Sequence, residues 1–148
     1  MVKKIYNVIL QSAIANSAST VGESFFYDWT QIPDVPYILT FSFISAIATL
    51  SNTQVASIYV DLSQSYNQIA TCQVGTQSAY KGSFLGSLLY WGTGANSYLY
   101  TEMTSNPEIF LNGRPRNNNF LVEIHLSPTA DYAPAPGTYN LILSFREA

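Results

Sequence analysis

The chain has 148 residues, a net charge of −3 and 10% charged residues, against 47% hydrophobic and 14% aromatic. That length suits one domain, 1–148, able to bury a core without staples, but soluble domains ordinarily carry about 25% charged residues. Six scattered cations, Lys3, Lys4, Lys81, Arg114, Arg116 and Arg146, exclude polyanion binding by counterion release as a main function, so no direct contact with nucleic acid is expected.

A surface this poor in charge is covered by Ser, Thr, Asn, Gln and Tyr, which suits packing against neighbours better than life as a free monomer. The single cysteine, Cys72, rules out an internal disulfide and a multi-cysteine metal site. It agrees with folding in a reducing compartment.

In chain order, the opening MVKKIYNVILQSAIANSA has two lysines and a short apolar run, but Asn7 and Gln11 interrupt that run. It reads as a strand at about 3–10 and a surface loop at 12–22, with a short helix as the alternative for the loop. A strand at 23–29 follows, then the turn Ile32-Pro33-Asp34. The first clear strand is 37–43, where Tyr37, Leu39, Phe41 and Phe43 share one face opposite Ile38, Thr40 and Ser42. Further strands are predicted at 55–62, 67–74, 84–91, 97–103 and 107–111, separated by turn signals at 51–53, 92–96 and Asn112-Gly113. At 120–126, Phe120, Val122, Ile124 and Leu126 oppose Leu121, Glu123 and His125. After a proline-rich turn at 128–137, Tyr139, Leu141, Leu143 and Phe145 oppose Asn140, Ile142, Ser144 and Arg146.

Period-2 alternation marks half-buried antiparallel strands. Phe41, Phe43, Val122, Ile124, Leu141 and Leu143 are the predicted core. No stretch is long enough for a membrane span. Strands at this spacing without convincing helices predict an all-β, antiparallel two-sheet sandwich, a single jelly roll of about eight strands. An immunoglobulin-like sandwich is the rival, though its Cys–Trp–Cys arrangement is missing.

No motif for catalysis stands out. His125 lies on the polar face of its strand and reads as an exposed or interface histidine. Cys72 in TCQV reads as a small buried thiol. The nine carboxylates form no tight cluster in sequence, and no phosphate loop, dinucleotide fingerprint, calcium loop or nucleophile elbow is present. No enzymatic activity, cofactor or metal is expected.

Two places are candidates for binding. One is the loop NGRPRNNN at 112–119. Asn112-Gly113 can supply the positive backbone angles of a reversal, Pro115 extends Arg114, and the asparagines bond their own backbone. Its guanidiniums can fork onto a neighbour's carboxylates or carbonyls. The other is the aromatic group Tyr90, Trp91, Tyr98 and Tyr100 around GTGAN, read as core filling plus interface anchoring, with sugar stacking as the alternative. The predicted subunit-interface residues are Arg114, Arg116, Asn117, Asn118, Trp91 and Tyr98.

The early NVIL strand with its Ser/Asn/Gly loop, the strand YILTFSFISA and the ending NGRPRNNNFLVEIHL…APGTYNLILSF together resemble the small single jelly-roll capsid proteins of large icosahedral DNA viruses. The resemblance covers strand order, turn placement and composition along most of the chain. It implies a structural virion protein, a penton or other minor capsid component, without cofactor. Its implied partners are copies of itself in a pentamer and the major capsid protein, with assembly in the host cytoplasm. Two other classes stay open: a trimeric jelly-roll recognition head and a carbohydrate-binding module.

Overall fold

A computed structural model describes residues 2–12, 17–18, 22–47, 55–60, 62, 84–93, 96–101, 108–127, 130–132 and 139–148. The strand expected at 67–74, Cys72 and the turn at 51–53 lie outside the described residues. The strands are β1 (Ile5–Gln11), β2 (Ser17–Ala18), β3 (Gly22–Phe26), β4 (Tyr37–Ile47), β5 (Val55–Val60), β6 (Phe84–Thr93), β7 (Asn96–Thr101), β8 (Ile109–Leu111), β9 (Asn119–Ser127), β10 (Ala130–Tyr132) and β11 (Tyr139–Glu147). Every ladder is antiparallel. The only helical element named among the described residues besides Ser12 is a 3-10 turn, Trp29–Gln31.

Hydrogen bonds link the strands into one path, β1-β11-β4-β7-β6-β5-β9-β3-β2, with β10 added to β9 and β8 to β4. The result is a nearly closed antiparallel sheet around one core. The β6–β7 hairpin, pairing Leu88 with Thr101 through Thr93 with Asn96, joins the two halves of the path. Three segments depart from the expected layout. Within the surface loop expected at 12–22, Ser17–Ala18 form β2 and pair with β3. The strand predicted at 23–29 stops at Phe26, because Asp28 caps the 3-10 turn: its Oδ1 accepts from Thr30 N at 3.0 Å and Thr30 Oγ1 at 2.6 Å. The proline-rich segment 128–137 contains β10, whose three residues fold back onto β9 with a register shift between Ala130 and Asp131.

The period-2 reading of the three clear strands holds. Tyr37, Leu39, Phe41 and Phe43 are buried, as are Phe120, Val122, Ile124, Tyr139, Leu141, Leu143 and Phe145. Register explains why they form one core. Leu141 pairs with Phe43 on one side and Leu10 on the other, and Leu143 with Phe41 and Val8, so each row of the pleat puts apolar side chains inward together. Gly22 is required for close approach: a Cβ there would lie 2.2 Å from the Val122 carbonyl oxygen.

Leu141 is fully buried, so Leu141→Ala should lower unfolding free energy by about 2–5 kcal/mol. Urea denaturation with an unchanged m-value measures it; an unchanged midpoint would contradict the inward assignment.

Candidate functional site

The arginine loop, 112–118, connects β8 to β9 and lies against the segment that leads from β3 to β4. Contacts run along its whole length. Tyr27 N donates to Asn118 O at 2.9 Å. Trp29 N donates to Asn118 Oδ1 at 3.3 Å, and Trp29 Nε1 to Asn117 O at 2.8 Å. Arg114 Nη1 donates to Ile32 O at 3.2 Å, and Arg114 N to Asp34 Oδ1 at 3.2 Å. Arg116 Nη2 pairs with Asp34 Oδ2 at 2.8 Å. Asp34 therefore bonds the loop twice, once at the backbone and once at a guanidinium.

The local sequence explains this docking. Gly113 does not take the expected positive backbone angle; a Cβ there would meet Asp34 Oδ1 at 2.7 Å, so a larger residue would push the Asp34 carboxylate aside. Pro115 is buried beside it. The carbonyl and the carboxylate expected from a neighbouring subunit are both supplied by this same chain, at Ile32 and Asp34. Arg116 keeps 60% of its side chain exposed, so that ion pair is screened by water and is worth under about 1 kcal/mol.

What anchors the clasp is Trp29. It is buried, and its ring lies 5.6 Å from Phe120, 5.3 Å from Phe145 and 4.7 Å from Tyr27. Burying an indole removes about 150–250 Å² from water, or about 4–6 kcal/mol at 25 cal/mol per Å². That far exceeds the surface ion pair.

The six predicted interface residues fall into two groups. Arg114, Arg116, Asn117 and Asn118 sit together in the clasp. Trp91 and Tyr98 pair across the β6–β7 hairpin. Tyr98 also faces Ala46 on β4, about 30 Å along that strand from the Tyr37 end beside the clasp. Only Tyr98 of this second pair has a described side chain, and it is partly exposed. His125 lies in β9, opposite Ser57 and Asp131.

A second surface was not singled out from sequence. On the outer face of β1, β11, β4, β7 and β8, the registers align Ile5–Arg146–Ile38–Phe110, then Asn7–Ser144–Thr40, then Ile9–Ile142–Ser42, then Gln11–Asn140–Ile44–Tyr100. Ile5, Ile9 and Ile44 are 58%, 56% and 56% exposed, and Phe110 is exposed as well. The charge within these rows is Arg146, which pairs with Glu108 at 3.1 Å. The exposed apolar side chains in these rows stand among Asn, Ser, Thr and Gln, with Ile9 and Ile142 directly paired.

A third feature is interior. Glu23 is 1% exposed. Its Oε2 accepts from the Tyr139 hydroxyl at 2.7 Å, and its Oε1 has no partner among the described residues. Ser12 Oγ accepts from Tyr139 N at 3.0 Å. Ser45, which pairs with Tyr139 across β4 and β11, has a buried hydroxyl without a partner among the described residues. Burial pushes the Glu23 carboxyl above its ordinary value, and the Tyr139 bond only partly offsets this. Burial and the bond to Glu23 both push Tyr139 up. Glu23 shares the phase of buried Phe25 in β3, a signal that alternation within 22–26 carried.

Among the described residues, no group of three or more His, Cys, Asp or Glu is placed to hold a metal ion, and no helix is long and apolar enough to cross a membrane. No protein-family model and no curated protein sequence matches this chain.

Two outcomes are expected. Arg116→Ala should change stability by under about 1 kcal/mol, whereas Trp29→Ala should cost about 3–5 kcal/mol; denaturant titration separates them. Glu23 holds its proton in the folded state at pH values where the unfolded chain has lost it. Its contribution is therefore present below the ordinary value of 4.5 and is lost as pH rises through the raised folded value. Glu23→Gln should remove that slope, so the variant gains on the wild type between pH 4 and pH 7 in paired urea titrations. A constant difference across that range would show that Glu23 is not protonated by folding.

Proposed function

We propose that this protein is a structural building block of a virion shell, a small single jelly-roll penton or other minor capsid protein that works through subunit contacts. Its partners are copies of itself, in a pentameric ring, and the major capsid protein. Its single cysteine suits assembly in the host cytoplasm.

The fold part of this reading is supported by strand order. The path divides at the β6–β7 hairpin into β1-β11-β4-β7 and β6-β5-β9-β3. Taken as two facing sheets, and leaving aside the short β2, β8 and β10, these eight strands run 1-8-3-6 and 5-4-7-2, the order of a jelly roll. The function is carried by one observation, the outer face of β1, β11 and β4. It presents Ile5, Ile9 and Ile44 to solvent with almost no charge. A protein that worked alone would gain nothing from that face and would lose solubility. A shell subunit covers it.

The aspartate clasp fits the same role. Subunits that stack closely need loops of one defined shape, and a loop already bonded to its own chain loses little entropy on docking.

The test uses Ile44→Asp/Phe110→Asp, two exposed positions where a charge leaves the core intact. Wild-type protein mixed with its major capsid protein should form five-fold rings or vertices by electron microscopy. The double variant should keep its circular dichroism spectrum and lose assembly. A wild-type chain that stays monomeric and binds no capsid protein at any concentration would sink the proposal.

A further inference from the structure

The edge strand β1 has a property that the outer face as a whole does not share. It terminates the hydrogen-bonded path on one side. Glu147 N donates to Lys4 O at 3.0 Å, and Ile5 pairs with Arg146, so Lys4 and Glu147 form a hydrogen-bonded pair. Antiparallel ladders alternate. Tyr6, Val8 and Leu10 therefore point their backbone groups at β11, while Ile5, Asn7, Ile9 and Gln11 point theirs at an edge that no strand among the described residues occupies.

Natural edges are usually blunted by charge, proline or a bulge. β1 reads IYNVILQ, with no charge and no proline, and its ladder with β11 is regular over all seven residues. Its side chains on the outer face read Ile5, Asn7, Ile9, a palindrome about Asn7. Ile5 and Ile9 are both more than half exposed.

We propose that β1 pairs antiparallel with β1 of a second copy, across a two-fold axis at Asn7. In that register Ile5 faces the second copy's Ile9, Ile9 faces its Ile5, and Asn7 faces Asn7. All three are hydrogen-bonded pairs, because they use the residues whose backbone groups face the open edge. At two bonds per pair they supply about six backbone hydrogen bonds. Asn7 Oδ1 already accepts from Ser144 Oγ at 2.7 Å, which leaves each amide nitrogen to donate across the axis. Lys3 falls opposite Gln11, so no like charges meet. A shift of the axis to Val8 would put Ile5 opposite Gln11 and Ile9 opposite Asn7, losing the apolar match.

The second copy is favoured over an unrelated extended peptide by this self-complementarity. The pairing joins two nearly closed sheets through about 20 Å of edge. That is well below the roughly 800 Å² per partner of a standard interface, so the contact is weak in solution and becomes populated where copies are concentrated. It is a two-fold contact, compatible with a five-fold ring elsewhere, and it stands apart from the capsid reading.

Sedimentation equilibrium up to millimolar protein tests it, together with disulfide trapping in a Cys72→Ser background. A hydrogen-bonded pair holds its Cα atoms about 5.5 Å apart, within disulfide reach. Asn7→Cys should therefore crosslink to a dimer under mild oxidation. Ile9→Cys should not, because its copies lie about 14 Å apart in this register. Ile5→Lys/Ile9→Lys opposes like charges and should weaken dimerisation by about tenfold or more. Ile44→Asp, two strands from the edge, should leave it unchanged. A wild type that is monomeric throughout, or equal trapping at both cysteine positions, overturns the proposal. So does a dimer that Ile5→Lys/Ile9→Lys leaves intact while its circular dichroism is native. Loss of ring assembly in the Ile44→Asp/Phe110→Asp variant with β1 trapping retained would separate this contact from the shell contact.

Discussion

The rest of the structure depends on the burial of Trp29. A nearly closed sheet must fill its interior from both halves of the strand path, and Trp29 is where they meet. Its ring packs against Phe145 on β11 and Phe120 on β9, strands far apart on the path. Its indole nitrogen is satisfied by Asn117 O, so the ring enters the core without stranding a donor. The 3-10 turn that presents it is set by the Asp28 cap. The arginine loop follows from this. Residues 112–118 are held because they supply the partners that a buried tryptophan needs.

The other end of β11 holds the corresponding polar cross-link. Tyr139 reaches over from β11 to Glu23 on β3, 116 residues away in sequence. Its ring packs 5.2 Å from Phe43 and 6.4 Å from Phe25. The two cross-links differ in physical character. At the Trp29 end, burial of apolar area dominates. At the Tyr139 end, a carboxyl sits in the interior with one oxygen unpartnered among the described residues, and its burial raises the carboxyl above its ordinary value.

Charge distribution separates the inside from the outside in an unusual way. The outer rows of β1, β11 and β4 carry isoleucines among Ser, Thr and Asn, while a glutamate is buried. Low charge overall removes much of the usual defence against edge and face contacts. The β1 edge is regular over its seven residues, and the arginine loop is clasped to its own chain.

The sequence by itself determined the strand class, most strand positions and the inward faces, because side-chain alternation is a local property of extended chain. Tyr37 to Phe43 and Tyr139 to Phe145 state their phase without any partner. It also marked the 112–119 loop as turn chemistry. Partners were not legible there, since Ile32 and Asp34 lie 82 residues from the arginines they bond. Alternation in 22–26 placed Glu23 beside Phe25, but only a tertiary contact with Tyr139 gives that phase a meaning. The outer apolar rows were equally hidden: Ile9 and Ile142 become neighbours only when register brings β1 and β11 together. Phase is set within one strand and can be read from it. Register, closure and burial are set between strands, and only the tertiary structure decides them.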